Sequence, residues 1–135
     1  MILHLFLDDK YIYNVKLNTG VNDLLSLINT SGNVSILNNE NVKNGNDLVG
    51  TGYTVVVKFK NETKKYKVIV KGDVTGTGTS SVSAVAKLYQ YLKKKINMED
   101  YFIEAGNVVN TDNEIRINDV AKLYQFIKGK LNSLE

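Results

Sequence analysis

The chain has no cysteine among its 135 residues, so disulfides and thiolate chemistry are excluded and the redox compartment leaves no mark on the sequence. Proline is absent too, against an average usage of about 5%. Asparagine is abundant, and together these biases read as those of an AT-rich genome rather than as a physical requirement. No apolar run approaches the roughly 20 residues that span a bilayer, so no membrane insertion is expected. The opening Met-Ile-Leu-His-Leu-Phe-Leu-Asp-Asp lacks the basic leader and cleavage site of a signal peptide. Histidine occurs once, at His4 in an apolar run, with no metal set or nucleophile motif beside it; a structural or surface role is expected. Gly-Thr-Gly occurs at Gly50 to Gly52 and at Gly76 to Gly78, and neither completes a dinucleotide or phosphate-loop signature. Asp8-Asp9 and Glu99-Asp100 are neighbours in sequence, which does not make an acid/base pair. The net charge is +3, but the lysines are dispersed and the only tight basic run is Lys93-Lys94-Lys95, so nucleic acid is not the expected partner. No catalytic constellation is visible, and the chain reads as a non-enzyme.

What is present is a repeat. Val-Ala-Lys-Leu-Tyr-Gln begins at Val85 and again at Val120, 35 residues later, and each copy continues into an apolar and lysine-rich run to Ile96 or Leu131. Val85, Leu88, Leu92 and Ile96 form a stripe at helical spacing, and Val120, Leu123, Ile127 and Leu131 form its counterpart. A helix of about 12 residues is marginal alone in water, so the two stripes are expected to bury each other. Met98 and Glu99 precede a short connecting helix expected at Asp100 to Glu104.

Ahead of the repeat, residues 1–71 read as strand-rich. Strands are expected at Ile2 to Leu7, Tyr11 to Leu17, Val34 to Leu37, Tyr53 to Phe59 and Tyr66 to Lys71, the last two joined by a loop of about four residues. Val21, Leu24, Leu25 and Ile28 share one helical face. Asn38 to Asp47 reads as a polar loop. The fold class expected is α+β. A small mixed sheet with one helix fills residues 1–71, and an antiparallel helix pair with EF-hand-type loops fills 72–133. No Gly-, Ser- or Pro-rich linker separates these domains, so they are expected to pack or to move as a nearly rigid pair.

The segments ahead of the repeated helices fit a calcium-loop frame, which wants oxygen ligands at positions one, three, five, seven, nine and twelve and glycine at six. With Asp73 at one, Thr75, Thr77, the Thr79 carbonyl and Ser81 take ligand positions and Gly78 takes the glycine, but Ala84 stands where a bidentate carboxylate belongs. The second loop is one residue longer. Counted back from Asp119 at twelve, Asn110, Asp112 and Glu114 fall at three, five and seven, Asn113 replaces the glycine, and Val108 falls at one unless a bulge brings in Asn107. The candidate calcium ligands are therefore Asn107, Asn110, Asp112, Glu114 and Asp119, making a site that is weak or absent. Calcium affinity falls with ligand charge, so the first loop is expected to be metal-free and no cofactor is required. In place of an ion, the Arg116 guanidinium is expected to bridge Asp112 and Asp119, and Thr and Ser hydroxyls to close the first loop.

Gly-Asp-Val-Thr-Gly-Thr-Gly followed by an apolar helix, repeated after 35 residues, resembles the dockerin modules of clostridial cellulosomal and cell-surface proteins. Val-Gly-Thr-Gly-Tyr-Thr-Val-Val-Val, running through a hairpin into Gly-Asp-Val, is similar to the small module often found upstream of them. The resemblance implies a non-catalytic, extracellular or cell-surface role within a longer secreted protein, docking as a monomer onto a cohesin-like domain. The alternative is a structural C-terminal cap without an external partner. Recognition positions carried over from the family are Val82, Ser83, Tyr89, Gln90 and Lys94 in the first copy, and Ile117, Asn118, Tyr124, Gln125 and Gly129 in the second. Tyr89 and Tyr124 lie one position off the apolar stripe, where they either edge the core or anchor an interface.

Overall fold

A computed structural model describes residues 6–7, 10–28, 32–109 and 114–134. Residues 2–5 of the strand expected at Ile2 to Leu7, His4 among them, and Asp8-Asp9, Asn110, Asp112 and Asn113 lie outside the described residues.

The elements, in chain order, are β1 (Phe6–Leu7), β2 (Tyr11–Val15), α1 (Val21–Leu27), β3 (Asn33–Asn38), β4 (Asn41–Lys43), β5 (Thr54–Phe59), β6 (Glu62–Val70), α2 (Val82–Leu92), α3 (Asp100–Gly106) and α4 (Ile117–Ile127). The six strands form one sheet in the order β1-β2-β6-β5-β3-β4. β2 runs parallel to β6, and the other pairs are antiparallel. The molecule is thus α+β with a mixed sheet.

Strand alternation sorts the side chains. Val55 and Val57 on β5, and Tyr66, Val68 and Val70 on β6, join Ile12, Val15 and Ile36 in a core closed by Val21, Leu24 and Ile28 at α1. The opposite face of the sheet is half covered. Ile69 and Tyr11 pack with Ala105 of α3 in a small separate cluster, which is why the end of β6 is buried on both faces. Lys58 and Lys65, farther from α3, remain exposed.

Two elements depart from the expected reading. The polar stretch Asn38 to Asp47 contains β4, hairpinned to β3 with Asn38 opposite Asn41. Between β5 and β6 the turn is only Lys60-Asn61, since Phe59 pairs Glu62. Thr63 to Lys65 therefore belong to the strand although every one is exposed. Alternation was unreadable there because neither face of that strand end meets a core.

The second core joins Val74, Ala84, Leu88, Met98, Val108, Ile115, Val120, Leu123 and Leu134, and it is where α2 and α4 pack together. Each helix starts three residues ahead of the identical repeat segment and ends at Leu92 or Ile127, so Ile96 and Leu131, expected on the stripes, lie beyond the helices. Both end in the same cap. Lys95 N donates to Gln90 O and Lys94 N to Tyr91 O, while Lys130 N donates to Gln125 O and Gly129 N to Phe126 O. This six-to-one and five-to-two pattern puts Lys94 (φ 64°) and Gly129 (φ 79°) in the left-handed conformation. No helix among the described residues is long and apolar enough to cross a membrane.

Candidate functional site: two loops and two helical faces

Asp73 lies three residues past the end of β6 and is wholly buried. Its carboxylate accepts four backbone N–H groups: Gly76 at 2.9 Å and Thr77 at 3.0 Å on Oδ1, and Thr51 and Gly78, both at 2.8 Å, on Oδ2. Gly76 (φ 79°) and Gly78 (φ 83°) allow this, because left-handed residues alternating with ordinary ones turn successive N–H groups toward one point. A carboxylate has about four lone-pair directions, so Asp73 has none left for a cation. Thr75, Thr77 and Thr79, placed at ligand positions by the frame, hydrogen-bond to one another instead, at 3.3 Å and 3.1 Å between hydroxyls. Ala84, at the twelfth position, is buried in the second core. The first loop does not fit calcium. The expected closure by Thr and Ser hydroxyls is present, with Ser80 Oγ donating to Gly72 O at 2.7 Å and Thr77 Oγ1 to Thr79 O at 3.3 Å, but the Asp73 carboxylate gathers more of the loop.

The second loop is closed from its other end. Asp119, also wholly buried, accepts Val108 N and Val109 N, both at 3.0 Å, on Oδ1 and Arg116 N at 2.8 Å on Oδ2. It thereby serves as the reaching-back half of an N-terminal cap for α4. The other half is chemically absent, since arginine at the cap position has no acceptor. The expected bridge by the Arg116 guanidinium from Asp112 to Asp119 is corrected at its Asp119 end, where the backbone N–H of Arg116 is the donor while Nη2 pairs with Glu114 at 2.9 Å; its Asp112 end lies outside the described residues. That pair lies on the surface, which leaves Glu114 a poor position-seven ligand.

The frame of the second loop also shifts. Lys87 Nζ donates to Val74 O at 2.8 Å, and Lys122 Nζ donates to Val108 O at 2.9 Å. The lysines are 35 residues apart and the valines 34, so Gly106-Asn107-Val108 corresponds to Gly72-Asp73-Val74. Asn107, not Val108, stands where Asp73 stands. It is buried, and its Oδ1 is the one buried side-chain polar atom among the described residues without a hydrogen-bond partner. Calcium takes about six to eight oxygens. The described part of this loop offers Asn107 Oδ1 and the unused direction on Asp119 Oδ2, short of a site.

Lys87 also lies 3.7 Å from the centroid of the Phe102 ring. Burial lowers its pKa below the ordinary lysine value, against the attraction of Glu99 and Asp73.

The two helices present matching outer faces. Val82 is 60% and Ile117 57% exposed, and Tyr89 is 44% and Tyr124 46% exposed. Ser83, Gln90, Asn118 and Gln125 are exposed beside them. Neither tyrosine belongs to the second core. Lys93 lies 5.5 Å from the Tyr89 ring and Lys128 5.6 Å from the Tyr124 ring, a repeated cation–π pair absent from the expected set although its four-residue spacing is plain in both copies. Lys94 and Gly129, by contrast, are capping residues. No known family, curated protein or solved structure matches this chain.

Proposed function

We propose that the protein is a non-catalytic binding module of dockerin-like type, attaching a longer extracellular parent protein to a cohesin-like domain through the outer faces of α2 and α4. The observation that carries this reading is the duplication of an exposed apolar and aromatic face. Val82, Tyr89 and Lys93 recur as Ile117, Tyr124 and Lys128. Core packing does not require either tyrosine to stand nearly half exposed, and tyrosine beside lysine is a common composition for an interface anchor. The two faces act as alternative binding modes. Losing one then halves the competent arrangements and weakens binding about twofold, while losing both abolishes it. Surface plasmon resonance of Tyr89→Ala, Tyr124→Ala and the double variant against a panel of cohesin domains tests this. Full binding by a correctly folded double variant would overturn it. A second reading, a structural cap, is favoured by the dense contact of the first loop with the sheet; it predicts no binding by any variant, wild type included.

A further inference from the structure

We infer that the first loop is the joint between the sheet and the helical pair, closed by Asp73 where a calcium loop would be closed by its ion. The inference stands whether or not the helical faces have a partner. One oxygen of Asp73 gathers Gly76 and Thr77 within the loop, while the other holds Gly78 and, from the sheet side, Thr51. Thr51 in turn fastens the end of β6: its Oγ1 donates to Val70 O at 3.1 Å and accepts from Val70 N at 3.0 Å. The loop is laid into the sheet module on further sides. Asn18 N donates to Gly78 O at 2.8 Å. A Cβ at Gly50 would stand 2.2 Å from Gly76 O, and one at Gly78 would stand 2.8 Å from both Leu48 Cβ and Val49 O. Leu17 packs against both large cores.

A cation in this loop would have to take Asp73 oxygens from the amides they now hold, and one of those amides, that of Thr51, lies in the turn leading into β5. Metal binding and inter-module closure are therefore mutually exclusive here. The joint fixes the orientation of the helical faces relative to the sheet without any ion.

Native-state hydrogen exchange on the full chain tests this. The amides of Thr51, Gly76, Thr77 and Gly78 are expected to exchange with one shared opening free energy and one shared urea dependence, unchanged by calcium chloride or by EDTA. In Asp73→Asn, where one oxygen becomes a donor facing donors, those four amides should exchange roughly ten- to a hundredfold faster. Val108, Val109 and Arg116, held by Asp119, should not change. Faster exchange in EDTA, or calcium-induced slowing of the loop amides, would overturn the inference. So would a Thr51 amide that exchanges independently of the three loop amides in the wild type, a result readable even if Asp73→Asn does not fold.

Discussion

Lys94 holds a conformation that glycine holds in the sister repeat. A left-handed residue with a side chain costs about 1–2 kcal/mol, and the added freedom of glycine in the unfolded chain returns about 0.4–1 kcal/mol of that. Lys94→Gly is therefore expected to stabilise the protein by about 0.5–1 kcal/mol, seen as a raised urea midpoint at unchanged slope. Two tyrosines have raised pKa values in the folded chain. Tyr53 is held protonated by burial and then by the nearby Asp73 and Asp47; Tyr101 by burial and then by its hydrogen bond to Glu99. Both titrate higher in the folded chain than in the unfolded one, so their contribution is whole below about pH 10 and is lost as pH rises through their folded values. Lys87 acts in the opposite sense: its folded value is depressed, so its contribution is present above the ordinary lysine value and lost as pH falls through the folded one. Urea midpoints should fall as pH rises above about 10, and less so in Tyr53→Phe and Tyr101→Phe. An equal fall in the variants would refute the assignment. At this scale the sequence showed which residues matter better than what they do. Asp73 and Asp119 stand out in a calcium frame by type and spacing. That they collect backbone N–H groups depends on glycine φ angles and on Thr51, 22 positions away, which no local pattern encodes.

Among the elements, the duplicated helices were legible because their stripes have one buried side. Leu88 and Leu123, the central members, are wholly buried. Leu123→Ala should cost about 2–5 kcal/mol, and Leu88→Ala a similar amount, because each leaves a cavity where the two helices meet. A loss below about 1 kcal/mol in denaturant titrations would show that the stripes do not bury each other. The strand-rich half was legible where a strand has a core face, as at Val55 and Val57. It failed at β4, whose Val42 is 64% exposed and whose three residues carry no period. The outer face of α2 and α4 was half legible: Tyr89 and Tyr124 were placed off the stripe by spacing, whereas the choice between core edge and open face needed the packing of Phe126 and Tyr91 into the second core.

Over the whole molecule, two cores are joined by a seam with no slack. Gly50 sits under the Gly76 carbonyl, and a methyl there would meet backbone rather than a yielding side chain. Gly50→Ala should therefore destabilise by about 1–3 kcal/mol while leaving both hydrophobic clusters unaltered in composition. Unfolding of the wild type followed by far-ultraviolet circular dichroism and by tyrosine fluorescence should superimpose as one transition. Two separated transitions would mean that sheet and helices melt as independent bodies. The expectation of a nearly rigid pair rested on the missing linker alone; the contacts across the seam, at Gly50, Thr51 and Gly78, are long-range and have no sequence signature.

Leu134 is buried, and it lies over Gly72, with Leu123 and Leu17 alongside. Leu134 thus packs against the start of the loop that Asp73 gathers. A spin label or fluorophore at the exposed Ser133 would sit beside that contact and register its loosening before either hydrophobic cluster came apart.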